Sequence, residues 1–182
     1  KCKIKEIYSI GGPSAIAALA YGTKKIKKVN KIFGPGNIFV SSAKKEVFGE
    51  VGIDMIAGPS EIVVVADKFS KAEWVAADLL GQAEHDVNSQ CILISKEKNF
   101  IKKVKILLSE QLKNLPRKLI AKKSLALNGI LIYVQSDKQI IDIVNMIAPE
   151  HLELNIKNYQ NILKKIKNAG SICLGKYSAM AV

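Results

Sequence analysis

Arginine is almost absent from this 182-residue sequence: of its 28 basic residues only Arg117 carries a guanidinium. Surfaces built to grip phosphate or guanine use the bidentate fork of Arg as well as Lys. The net charge of +12 therefore reads as generic lysine basicity. Aromatic residues are scarce too, at 6%, and none is interleaved with the run Lys24-Lys25-Ile26-Lys27-Lys28-Val29-Asn30-Lys31 as a base-stacking platform requires. The run reads as a solvated face, and no nucleic-acid partner is expected.

Cysteine is limited to Cys2, Cys91 and Cys173. An odd, widely spaced set forms neither a disulfide framework nor a CxxC metal or redox motif, so the three read as reduced thiols. No apolar run approaches the roughly 20 residues that span a bilayer, and Lys1 to Ser9 hold no hydrophobic stretch of signal type. These lacks point to a soluble, cytoplasmic protein with no membrane partner. What is present, 48% apolar and 24% charged residues, is the composition of a globular chain that can bury a core. The length allows one domain, or one and part of another. A first residue of Lys, and a stop at Ala181-Val182 inside what reads as continuing sequence, lead us to expect a fragment.

Short apolar runs rich in β-branched residues alternate with segments of helical period, the pattern of βαβ units. It predicts strands at Ile7–Ile10, Lys31–Phe33, Ile62–Ala66, Cys91–Ser95, Ile130–Val134, His151–Leu154 and Ser171–Leu174. Helices are predicted at Pro13–Tyr21, Ile38–Phe48, Lys71–Glu84, Glu97–Leu112, Lys138–Ile147 and Tyr159–Asn168. The expected fold is α/β and Rossmann-like, with mostly parallel sheet layers, flanking helices and two lobes. Gly and Pro in Ala57-Gly58-Pro59-Ser60 interrupt two apolar runs, which puts the lobes at residues 1–58 and 59–182.

Three segments carry residue types suited to chemistry. Gly34-Pro35-Gly36-Asn37 follows a predicted strand and opens a helix, so it is either a tight turn or a set of backbone amides for an anionic group. Phe39 stands where the dinucleotide fingerprint needs its third glycine, and that fingerprint fails. Gln82 and His85, three apart near a helix end, share one face with Cβ atoms about 5–6 Å apart. They read either as the polar end of a surface helix or as two donors for one metal ion. Glu150-His151 places a carboxylic acid beside an imidazole at a strand start, either a solvated turn or an acid/base pair. The chain has only 2 histidines, and each falls in one of these last two segments.

Taken together, these segments identify a family. Gly11-Gly12-Pro13-Ser14-Ala15-Ile16-Ala17-Ala18-Leu19-Ala20-Tyr21-Gly22-Thr23, Gly34-Pro35-Gly36-Asn37, Ile53-Asp54-Met55 with Ala57-Gly58-Pro59-Ser60-Glu61, Asp78-Leu79-Leu80 with Gln82-Ala83-Glu84-His85, and Pro149-Glu150-His151-Leu152 resemble, in order and spacing, the signatures of histidinol dehydrogenase. The resemblance implies an NAD-dependent, zinc-containing homodimer of histidine biosynthesis. Such an enzyme is an oxidoreductase that takes L-histidinol through an enzyme-bound aldehyde to L-histidine, reducing two NAD molecules. By the same resemblance, Gln82 and His85 are zinc ligands and touch the substrate. Glu150 and His151 are the catalytic acid/base residues, Ser60 contacts substrate, and Asn37 contacts NAD. Ser14 stands where the family usually has a Gln that contacts NAD. Residues 1–58 would be the C-terminal part of an NAD-contacting lobe, and residues 59–182 the lobe carrying the zinc and acid/base motifs. The family's further Asp and His ligands would lie beyond Val182, leaving an incomplete Zn²⁺ set here. The competing reading is a non-catalytic remnant that keeps fold and subunit association.

Overall fold

The computed structural model describes residues 3–54, 56 and 60–178. The chain divides into two compact units, Lys1–Gly58 and Pro59–Val182. Of the expected hinge, Ala57, Gly58 and Pro59 lie outside the described residues, as do Cys2 and Met55.

The first unit holds helix α1 (Gly12–Tyr21), strand β1 (Lys31–Ile32), helix α2 (Ile38–Glu46) and strand β2 (Gly52–Ile53). Pro13 presets the helical φ in the first turn of α1, and Gly22 closes it by donating its amide to the Ala18 carbonyl at 3.0 Å. Ile16 and Ala20 from α1 pack on Ile32, Val47 and Val51 to form the small core. The two strands pair in parallel, Lys31 with Gly52 and Ile32 with Ile53. The expected strand at Ile7–Ile10 does not form: the segment is coil, with Ile7 86% exposed. Its β-branched residues have no neighbouring strand to pair with, and β-propensity without a packing surface does not hold a strand.

The second unit is a five-stranded sheet of strands β3 (Glu61–Ala66), β4 (Gln90–Ser95), β5 (Gly129–Tyr133), β6 (His151–Asn155) and β7 (Ser171–Leu174). Their order is β5-β4-β3-β6-β7, and every pair is parallel. Helices α3 (Ala72–Ala83), α4 (Lys98–Gln111), α5 (Lys118–Asn128), α6 (Asp137–Ile147) and α7 (Gln160–Leu163) connect the strands. The strand order is that of a Rossmann half, running outward one way and then reversing between β3 and β6. Successive strand residues face opposite sides. Ile62, Val64 and Ala66 of β3 therefore pack under α3 and α4, while Val63, Val65, Leu152 and Leu154 pack under α6 and α7.

Three further elements differ from expectation. Helix α5 and the two-residue β2 were not expected, and the helix predicted at Tyr159–Asn168 is the single turn α7. Pro116 precedes α5, and Ala121 and Ser124 are buried along it, a stripe too short and too lysine-rich to stand out from solvated chain. Among the described residues, no helix is long and apolar enough to cross a membrane.

Candidate active site

Open parallel sheets usually bind ligands at the carboxyl ends of their strands, beside the reversal of strand order. In this unit that end, between β3 and β6, is closed by hydrogen bonds. The Lys157 amide donates to Asp67 Oδ2 at 3.0 Å, the Asp67 amide donates to Ser70 Oγ at 3.1 Å, and the Ser70 hydroxyl donates to the Asn155 carbonyl. The motif residues gather at the opposite, amino end of the same strands.

His151 opens β6, paired with Ile62 on one side and Ser171 on the other. Its ring Nδ1 lies 2.9 Å from Ser171 Oγ, and the Ser171 hydroxyl lies 3.5 Å from the Glu150 carbonyl. The ring's other nitrogen, Nε2, is left to face Glu150. That nitrogen stands 3.7 Å from Glu150 Oε1. The imidazole and the carboxyl group thus present their polar atoms to the same small volume.

Glu61 begins β3, next to Ser60, whose carbonyl accepts from the Gln90 amide at 3.1 Å. Partial burial raises the Glu61 carboxyl above its usual range, and the charge of Glu150 raises it further, so three acid/base side chains share this corner.

The side of β6 that carries His151 also carries Glu153, because Leu152 and Leu154 occupy the opposite core. Glu153 is buried and hydrogen-bonds with Asp78 of α3. Burial raises the Asp78 carboxyl, and the bond with Glu153 offsets part of that rise. Four residues further along α3, about 6 Å, stands Gln82. Two residues back along β6, about 6.6 Å, stands His151. The shared displacement brings Gln82 and His151 to one level on one side of the sheet. His85 follows past the helix end, exposed, with its amide donating to the Gln82 carbonyl at 3.1 Å. Arg117 holds this segment in place: its guanidinium donates to the His85 carbonyl at 3.4 Å and its backbone amide to Glu84 Oε1 at 3.1 Å.

Gln82 is buried and its Nε2 has no hydrogen-bond partner. A buried amide left unsatisfied in this way is destabilising; its carbonyl oxygen is the atom of the same group with a lone pair to offer a cation. With the imidazole of His85 three residues on, Gln82 fits half of a zinc ligand set. Among the described residues, no group of three or more His, Cys, Asp or Glu can hold a metal ion, so these two donors do not complete a site by themselves.

The two expected cofactor residues lie in the first unit, each in the first turn of a helix or just before one. Ser14 is exposed in α1. Asn37 caps α2, its Oδ1 accepting from the Phe39 and Val40 amides at 3.1 and 3.2 Å, which is a structural task in addition to any contact with a ligand. Sequence reasoning missed Ser171, Glu61, Asp78, Glu153 and Arg117. Asp78 was visible in principle, as a charge on the stripe of Val75, Leu79 and Gln82, all buried. Cys91 is a buried free thiol. Burial pushes Cys91 up to about 12, while burial and then the Glu153 and Asp78 charges raise Cys173.

The whole chain, residues 1–182, matches the family model described as histidinol dehydrogenase. It is 71% identical over 183 residues to the histidinol dehydrogenase of Pelagibacter ubique, covering 100% of this chain and 43% of that one. It is 54% identical over 176 residues to that of Listeria innocua, covering 97% and 41%. The crystal structure of histidinol dehydrogenase from Elizabethkingia anophelis superposes with a TM-score of 0.92 at 46% identity, over 97% of this chain and 41% of that one. A gamma-glutamyl phosphate reductase from Thermotoga maritima, at 12% identity and a TM-score of 0.52, shares the fold alone. The chain thus spans 41–43% of the length of these histidinol dehydrogenases.

Proposed function

From the premise that the chain belongs to the histidinol dehydrogenase family, we propose that it supplies the proton-transfer pair and half of the zinc ligands for oxidation of L-histidinol to L-histidine. The observation that carries this reading is His151 Nε2 standing 3.7 Å from Glu150 Oε1 while Nδ1 is engaged by Ser171. Hydride leaves an alcohol carbon only as its hydroxyl proton is removed, and His151 Nε2 is the acceptor positioned for that proton. Ser171 fixes the ring through Nδ1, so the imidazolium that forms keeps its orientation. The aldehyde is oxidised as its hydrate, which requires an activated water, and the Glu150 carboxylate takes that proton. Glu61 and Ser60 border the same corner and contact the substrate's polar groups.

Gln82 and His85 would hold zinc, with the remaining ligands coming from the rest of the protein. NAD would meet the first unit at Asn37 and Ser14. Bound zinc supplies orientation and charge stabilisation, and NAD accepts the hydride. In the family's homodimer the same residues would serve each subunit.

The two steps can be told apart in a chimera in which this chain replaces the matching segment of a full-length relative. Glu150→Gln should leave the first NADH per histidinol near the parent rate and slow the second by about 10²–10⁴-fold, the usual worth of general base catalysis. His151→Gln should slow the first by a similar factor. Parent-like rates for both steps in both variants would refute the assignment.

A further inference from the structure

We propose that Lys44 and Asp54 are positioning residues that lock the Gly34-Pro35-Gly36-Asn37 turn in the shape that receives NAD, an inference that rests on reading this turn as part of the cofactor site. Gly34 stands at φ 134°, a backbone state L side chains rarely adopt and one a free turn samples among many. A single ion pair captures both of its backbone polar groups. Asp54 Oδ2 accepts from the Gly34 amide at 2.8 Å. Lys44 Nζ donates to the Gly34 carbonyl and to Asp54 Oδ1 at 2.6 Å.

The Lys44 side chain is only 4% exposed, and lysine is almost never so buried unless it is paired. Lys44 comes from α2 and Asp54 directly follows β2, so the pair ties the turn to a helix and a strand at once. At the other end of the turn, the Asn37 cap holds the start of α2. The apolar core of this unit is built without the pair, by Ile16, Ala20, Ile32, Val47 and Val51. A buried ion pair commonly loses as much in desolvation as it gains in attraction. Its contribution here is therefore geometric: it fixes the turn before the ligand arrives and so removes an ordering cost from binding.

The test uses the same chimera carrying Lys44→Met, and separately Lys44→Met with Asp54→Asn, which removes both charges and avoids leaving either one unpaired. KM for NAD should rise about tenfold or more, as loss of a preorganised contact does, while KM for histidinol and kcat at saturating NAD stay within about twofold. Amide exchange at residues 34–40 should quicken in both variants. An unchanged KM for NAD, or a loss shared equally by histidinol KM and kcat, overturns the proposal. Asn37→Ala serves as the control for the underlying reading. If it leaves KM for NAD unchanged, the turn is not part of the cofactor site; the lock itself is refuted if amides 34–40 exchange no faster in Lys44→Met than in the parent.

Discussion

Glu150 is placed by its main chain. Its carbonyl accepts from the Ser171 amide at 2.8 Å, and the Gly170 amide donates to the Pro149 carbonyl at 3.0 Å. A Cβ added at Gly170 would stand 2.6 Å from the Glu150 carbonyl oxygen, closer than real contacts allow. Gly170→Ala should therefore cost about 1–3 kcal/mol of stability, the usual range for overpacking. It should also cut turnover of the chimera by up to about 10²-fold, the effect of misplacing a reacting group by about 1 Å. Denaturant midpoints and kcat check both, and a variant with parent stability and parent turnover would show that this approach does not set the Glu150 position. At this scale the sequence revealed residue types and not their partners. Glu150 and His151 stand out because the chain has only 2 histidines and each has an acid beside it. Ser171, whose hydroxyl meets the ring at Nδ1, is a serine 20 residues away and follows no pattern that could single it out.

Between elements, the junction of α3 with β6 is a contact between two buried carboxyl side chains, Asp78 and Glu153. Two adjacent carboxylates cannot both stay ionised without strong repulsion. Burial favours keeping one proton on the pair, shared in the hydrogen bond between Asp78 and Glu153. A carboxyl whose folded pKa is raised adds its full stability below the unfolded pKa of about 4, and that stability is lost as pH rises toward the folded value. Asp78→Asn keeps a donor and removes the titration. Its stability should therefore fall less than the parent's from pH 4 upward, leaving it equal or better at pH 8. Thermal midpoints across that range decide the point, and parallel curves for the two proteins would contradict the shared proton. The elements themselves were largely readable, since β3 and β4 are apolar runs of the right length and β6 alternates polar and apolar residues, each between helical stretches. Helix α5 was not, because only Ala121 and Ser124 of it are buried. Ile7–Ile10 misled in the other direction: it has strand-forming residues and no strand beside it.

At the scale of the molecule, the strand order announces one ligand edge and the motifs occupy the other. The carboxyl end at the β3–β6 reversal is closed by Asp67, Ser70, Asn155 and Lys157. The amino end presents Ser60, Glu61, Gln82, Glu150 and His151. The fold-level rule and the family resemblance of the motifs thus point to opposite ends of the sheet. Gln82 and His85, the two proposed zinc donors, belong to a chain spanning 41–43% of the length of its relatives, so the proposed site is one that other segments would complete. NADH formation with excess histidinol, NAD and zinc, compared between the 182-residue chain and the chimera, tests this most directly. The account predicts no turnover and weak zinc binding by the chain alone, and two NADH per histidinol from the chimera. A folded chimera that forms no NADH, or full turnover by the chain alone, would contradict it.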